Sequence, residues 1–358
     1  MNKMLKWMVN NMITINSAVD SGYGYCIGRS MIKDVTISNF IKRISEDSAL
    51  ELAKSVDIID NNGLIIKFQE HYYMMGNLAT KADPGIKRKV INNRVNDIYH
   101  LVEILGILGI LCDSKVFATN LMVGLPNKLK DEAEAMANWL KGKWEVSYLT
   151  KYGQLDKLIN IQNVNVVPQS IAPIYNLPIE NIEKNNIISC DIGHGTGDMC
   201  LMIEGVPSIN TEYWVSVEGA KQVYSDLKKR LIKEYQSDYG IYDIPERDIQ
   251  VAVETGFFKV KKDLINVTDI LDDCLESYAE YIAYEMSDKY STYFFSADYI
   301  IGAGGLFNND SFATKLTKFL QQNKVQLAFF EDPQYSIVAG MFNLINMYYG
   351  DDLTREDD

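Results

Sequence analysis

Asp20-Ser21-Gly22-Tyr23-Gly24 and Asp191-Ile192-Gly193-His194-Gly195 share one pattern, an acid followed at two-residue steps by two glycines. Each is entered by an apolar run (13–19 and 187–190) and left by another (25–29 and 199–203), so each reads as a β-hairpin with a wide, side-chain-poor turn. Glycine tolerates positive φ and lacks the Cβ that would block an anion, so backbone N–H groups in such a turn can converge on phosphate oxygens. An Asp at the strand end suits a hydrated Mg2+ that meets those phosphates. Either copy alone is also compatible with an ordinary glycine-rich hairpin. With Gly at about 7% of average sequence, one match arises by chance in roughly a tenth of chains this long. Two matches in one context indicate an internal duplication, and two such hairpins facing each other would grip a polyphosphate from both sides. A third glycine turn, Gly302-Ala303-Gly304-Gly305, follows the strand-like 298–301. It invites close approach by a flat adenine or ribose, or is a tight turn without a ligand.

The elements that must hold these turns follow from periodicity. Residues 12–32 form the first hairpin. Residues 35–77 mix β-like pieces (35–38, 63–69, 71–75) with short helical turns, a patchwork expected of a small inserted subdomain. Residues 94–112 have helical spacing, with Val95, Ile98, Leu101, Val102, Leu105, Leu108 and Gly109 on one face. Strand 115–123, the break Gly124-Leu125-Pro126 and an amphipathic helix over 130–141 make a βα unit. Strands over 145–149 and 159–167 lead to Pro168-Gln169, where a helix is expected to begin, so Gln169 lies at a strand-to-helix junction. Helices are expected over 221–236 and 267–289, with a mixed stretch over 246–262. The charged face of the first of these (Asp226, Lys228, Lys229, Arg230, Lys233) is a solvated face or part of a contact surface. A helix starts near 332–341 with small residues that permit close packing, and 350–358 is an acidic, frayed end.

Composition narrows the function. A chain of 358 residues predicts about two domains. Its net charge of −13 argues against direct contact with nucleic acid or an anionic membrane. The five cysteines are scattered without a CxxC and the three histidines lie far apart, so neither a zinc site nor a disulfide framework is indicated, and the pattern is that of a reduced, cytoplasmic protein. Asn10 and Asn11 interrupt what would be a signal-peptide core after Lys3 and Lys6. The longest apolar stretch, 98–112, holds His100 and Glu103 and is too short to span a bilayer.

Two Asp-x-Gly-x-Gly hairpins, a Pro-Gln junction just before the second, and a late strand running into Gly-Ala-Gly-Gly resemble the actin superfamily of ATPases over nearly the whole chain. Tyr72-Tyr73-Met74-Met75-Gly76-Asn77-Leu78-Ala79 and Val123-Gly124-Leu125-Pro126 resemble its bacterial plasmid-segregation members of the ParM type. The resemblance implies an α/β fold of duplicated actin-like (ribonuclease H-like) domains with a nucleotide cleft between them. It divides the chain into 1–168 with 334–358, carrying the subdomain at about 33–95, and 169–333.

Carried over by residue, the resemblance makes Asp20, Ser21, Gly22, Tyr23 and Gly24 the first phosphate loop. Asp191, Gly193, His194, Gly195 and Thr196 form the second, and Gly302, Gly304 and Gly305 the adenosine loop. Asp20 and Asp191 would hold Mg2+ mostly through water, and Gln169 would orient the attacking water. The family's lysine on the outgoing strand is replaced by Ile27, and Arg29, two residues on and on the same face, is the expected substitute. His194 would bind a phosphate oxygen or fill space. The implied activity is slow ATP or GTP hydrolysis coupled to a polar, head-to-tail filament, with DNA reached through a small DNA-binding adaptor on a centromere-like site. A sugar- or acetate-kinase-like phosphotransferase of the same fold, which needs a cleft Asp not seen at Pro168-Gln169, and a non-hydrolysing nucleotide-binding scaffold are the alternatives.

Overall fold

The computed structural model describes residues 12–57, 63–87, 94–322 and 327–350. The N-terminal lysines and the acidic stretch after Gly350 lie outside these residues. The chain divides into two compact units, one running to Asn176 and resuming at Ile337, the other spanning Leu177–Ser336.

Nine strands of the first unit form one sheet. They are β1 (Ile13–Ser21), β2 (Tyr25–Ser30), β3 (Asp34–Ser38), β4 (Ile41–Ile44), β5 (Gly63–Phe68), β6 (His71–Gly76), β7 (Val116–Leu125), β8 (Gly142–Thr150) and β9 (Gly153–Pro168). Their order is β3-β2-β1-β7-β9-β8-β5-β6-β4. β1, β7 and β9 run parallel, and β1/β2 and β8/β9 are antiparallel hairpins. The stretch expected as an inserted subdomain thus extends the main sheet, with β5 pairing to β8. It keeps small cores of its own, one around Ala49, Ile65, Tyr72 and Leu149 and another around Phe40, Met74 and Ala79.

The helix Ile98–Leu111 begins where the Asp97 carboxylate accepts the N–H groups of Tyr99 and His100. From His100 on it is buried all round, so no single face describes it. It lies close to the strands, because a Cβ on Gly109 would fall 1.7 Å from the Tyr148 hydroxyl. The expected helix over 130–141 is a 3-10 turn, Asn127–Glu132, followed by a helix, Ala133–Leu140. After Pro168 the chain makes another 3-10 turn, Ala172–Asn176, in place of the expected α-helix. The C-terminal helix Ser336–Tyr349 presses on that turn, where a Cβ on Gly340 would meet the Ala172 carbonyl at 1.8 Å.

An asparagine ladder crosses the centre of this sheet. Asn163 donates to Asn120 at 2.9 Å, Asn120 to Asn16 at 2.9 Å, and Asn16 to Asn346 of the C-terminal helix at 2.9 Å. A bulge between Thr119 and Asn120 sets the ladder's register: Thr119 pairs with Ile161 but Asn120 with Asn163, leaving Gln162 as the extra residue.

The second unit carries β10 (Asn186–Ile192), β11 (Thr196–Ile203), β12 (Val206–Pro207), β13 (Val215–Glu218), β14 (Phe257–Val260), β15 (Asp263–Asn266), β16 (Tyr299–Ala303) and β17 (Leu327–Phe329). Its main sheet reads β12-β11-β10-β16-β17, with β13 on β11, while β14 and β15 form a separate hairpin. The core β11-β10-β16-β17 repeats β2-β1-β7-β9, an antiparallel hairpin followed by two parallel strands. Asp20 and Asp191 occupy the same place, the penultimate residue of the hairpin's first strand. Helices Lys221–Tyr239, Glu246–Thr255, Thr268–Lys289 and Asp310–Gln322 accompany this sheet. Among the described residues no helix is long and apolar enough to cross a membrane.

Candidate functional site

In the first unit, Asp20 is buried (5% exposed) and accepts a hydrogen bond from the Gln169 side-chain amide. An ionised carboxylate only accepts, so the amide nitrogen must face it and the Gln169 oxygen faces elsewhere. Gly124 makes this approach possible, because a Cβ there would sit 2.8 Å from Gln169 Cγ. The Gln169 backbone N–H donates to the Leu125 carbonyl at 2.7 Å, fixing the start of the side chain. Burial raises the Asp20 pKa above its ordinary value, opposed by the Gln169 hydrogen bond and by the charge of Arg94.

The turn after Asp20 is fastened from below by Asn39. Its side-chain amide donates to the Gly22 carbonyl and its backbone N–H to the Gly24 carbonyl. Peptide units are planar and trans, so a carbonyl held on one side sends the next residue's N–H to the other. Ser21 turns inward. Its hydroxyl donates to Glu103 Oε2 at 2.6 Å and lies 3.2 Å from His100 Nδ1, both on the buried helix. Burial lowers the His100 pKa, which favours the neutral ring.

The second unit fastens its turn the same way. The Gly193, His194 and Gly195 carbonyls accept N–H groups from Ala220, Lys221 and Gly219 at 2.9, 2.8 and 3.3 Å. The Thr196 hydroxyl donates to Asp198 at 2.7 Å, and Asp198 also accepts from Ser216. Asp191 pairs with Asp198 across the hairpin and is buried at 4% exposure. Neither Gly22 nor Gly193 adopts left-handed backbone, and a Cβ on Gly193 would meet nothing closer than 3.4 Å. Internal packing therefore gives no reason for a glycine at 193.

The third turn differs. Gly304 has φ of +88°, and a Cβ there would fall 2.4 Å from Asp191 Oδ1, while one on Gly302 would strike the Phe307 ring at 2.5 Å. Those two glycines are required by the protein's own packing, and Gly304 presses directly on Asp191. Gly305 is more open, with Gln334 at 3.7 Å.

Two side chains carried over from the resemblance are engaged elsewhere. Arg29 Nε lies 3.7 Å from Asp34 and its guanidinium sits over the Phe342 ring, because its length carries it along the sheet. His194 Nε2 is 3.4 Å from Glu246 and its ring meets Tyr224 edge-on. The sequence reading missed Asn39, Arg94 and Asp198. A buried acid in an apolar helix, Glu103, was visible as an anomaly.

The family model "Actin like proteins N terminal domain" matches residues 18–171, the stretch that carries Asp20, Asn39, Arg94 and Gln169. Solved structures match almost the whole chain. A 15-stranded ParM filament from Clostridium botulinum is 19% identical, with 94% of this chain and 100% of that chain covered at a TM-score of 0.74. The chain has the actin-like fold. The actin-like protein Alp7A matches at 17% identity, covering 94% of this chain and 97% of that one, TM-score 0.71. An archaeal actin homologue in complex with ADP matches at 15%, covering 93% and 99%, TM-score 0.73. At these identities the likeness is one of fold. No curated protein matches the chain. Within the actin-like fold, the repeated hairpins are the duplication read from the two Asp-x-Gly-x-Gly motifs.

Proposed function

We propose that the chain is a nucleotide-dependent, self-assembling ATPase, or GTPase, that moves DNA through a separate adaptor. The observation that carries the nucleotide half is the fastening of both glycine turns. Each has its carbonyl oxygens drawn to one side by protein donors, Asn39 in one unit and residues 219–221 in the other. That removes the groups that would repel phosphate and aims peptide N–H groups the other way, the arrangement of an anion nest.

The metal reading has support in the donor set. Among the described residues no three His, Cys, Asp or Glu side chains cluster as a metal cage. The turns instead offer few buried carboxylates, Asp20 in the first and Asp191 beside Asp198 in the second, and a sparse set suits Mg2+ that keeps most of its water and shares the substrate's phosphates. The ion would neutralise charge on the phosphates. Asp20 and Asp191 would hold its water shell, and the Gln169 oxygen, free of the bond that the amide nitrogen makes, would accept from the attacking water. A glutamine is no effective base, so turnover is governed by alignment and is slow.

Filament formation is supported by the neighbours named as filaments. The adaptor is supported by the net charge of −13, which disfavours direct DNA contact. Right-angle light scattering with a phosphate-release assay, after adding Mg2+ with ATP or separately GTP, tests the reading. A rise above a critical concentration followed by phosphate release is expected. No scattering at any concentration, with either nucleotide, would overturn the assembly half, and no phosphate release the hydrolytic half.

A further inference from the structure

Arg94 is among the largest fully buried side chains, at 2% exposure. A guanidinium carries five donors and a fixed charge, and burying it is costly unless acceptors surround it. Among the described residues Arg94 makes no ion pair, and its one hydrogen bond, Nη1 to the Gly124 carbonyl, is 3.5 Å long. Its guanidinium carbon lies 5.4 Å from the centre of the Tyr23 ring, inside the first glycine turn. It is close enough to Asp20 for its charge to favour the ionised carboxylate. Gly124 also backs onto Asp20 Oδ1, so Arg94, Asp20 and Gln169 form one buried group under the turn.

Among the described residues, the other cation expected at this turn is engaged. Position 27 is a buried isoleucine, and Arg29 is held by Asp34 and Phe342. Among the described residues, an anion at the first turn therefore has one buried, under-supplied positive charge to meet. The planar fork of arginine matches two phosphate oxygens at once. We propose that Arg94 is the cation of the first phosphate turn, and that it recognises the outer phosphates of a nucleoside triphosphate. The inference rests on the nucleotide reading above and adds to it the group that distinguishes triphosphate from diphosphate.

The test is displacement of a fluorescent ADP analogue by ATP and by ADP, with Mg2+, from the full chain and from Arg94→Met, Arg94→Lys and Arg29→Met. Arg94→Met is expected to weaken ATP by at least about tenfold and ADP by less, as loss of a charge-assisted phosphate contact implies. Arg94→Lys should recover part of the ATP preference, and Arg29→Met should leave the ATP-to-ADP ratio unchanged. A wild-type ratio in Arg94→Met, or loss of the preference in Arg29→Met, would overturn the proposal. Should Arg94→Met fail to fold, Arg94→Lys decides, since a point charge without the fork must bind ATP less tightly than wild type, and equal binding refutes the assignment. A wild-type chain that binds neither nucleotide would instead sink the nucleotide reading itself.

Discussion

Gln169 donates its side-chain amide to Asp20, although 149 positions separate them in the chain. β1 delivers the carboxylate, the end of β9 delivers the amide, and Gly124 on the intervening β7 leaves the gap between them. Gln169→Ala should slow phosphate release by about a hundredfold, the scale of loss when a reacting group is misplaced by an ångström, and so prolong the polymer. Nucleotide affinity should change far less. Unaltered turnover in the phosphate-release assay would take Gln169 out of the mechanism.

Asp20 carries a stability penalty with a definite sign. Burial raises its pKa above the ordinary 3.8, so from that pH up to the raised value the folded chain keeps a proton that the unfolded chain has released. Stability falls as pH climbs through that window and stays lower above it. Asp20→Asn removes the penalty, so nucleotide-free melts at pH 8 should show the variant more stable by a few degrees, at about 2–4 °C per kcal/mol, with the difference shrinking toward pH 4. A variant equally destabilised at both pH values would show that burial of the charge is not the governing cost.

Gly304 is the glycine with the least freedom to change. Alanine there would carry a left-handed strain of about 1–3 kcal/mol and push on Asp191. Gly304→Ala should lower the melting temperature and weaken Mg2+-dependent nucleotide binding together. Gly305→Ala, with Gln334 no closer than 3.7 Å, should leave the melting temperature unchanged. Equal effects in a side-by-side melt and binding titration would discard the packing account.

Asn39 separates fastening from charge. Asn39→Ala leaves the part-buried Gly22 carbonyl without its donor, at a cost below the roughly 1–3 kcal/mol of a fully buried group. Asn39→Asp also loses the donor and adds an anion beneath a phosphate turn, so it should weaken nucleotide binding more than alanine does. Calorimetric titration with Mg2+ and ATP measures the order, and a reversed order would mean that the turn does not face an anion.

Much of this was legible because it is local. The two glycine turns are contiguous motifs, Pro168 marks where β9 ends, and the duplication follows from matching motifs in matching contexts. What was not legible reaches across the fold. Asn39 and Arg94 stand in no pattern that points to Asp20, and only tertiary packing brings them under the turn. Strand alternation gave the correct face for Arg29 but not its destination, which Asp34 and the distant Phe342 decide. The helix expected after Pro168 is a 3-10 turn, held by Ser170 on Asn127 and by the close passage of Gly340. The apolar helix was recognised, yet its two polar residues were read only as interruptions, whereas they hold Ser21.

The bulge at Gln162 changes how β9 must be counted. Before it the odd positions Ile159 and Ile161 face the core, and after it the even positions Val164 and Val166 do. One residue of slack has been absorbed in mid-strand, and everything beyond it, Gln169 included, is set by the second phase. The strand is therefore tolerant of exchange at Gln162, which is exposed, and its pairing does not depend on that residue. A deletion there would straighten the strand yet leave Asn163 opposite Asn120 and Val164 opposite Leu121, with both valines still toward the core, so this point of the chain is slack in length as well as in residue identity.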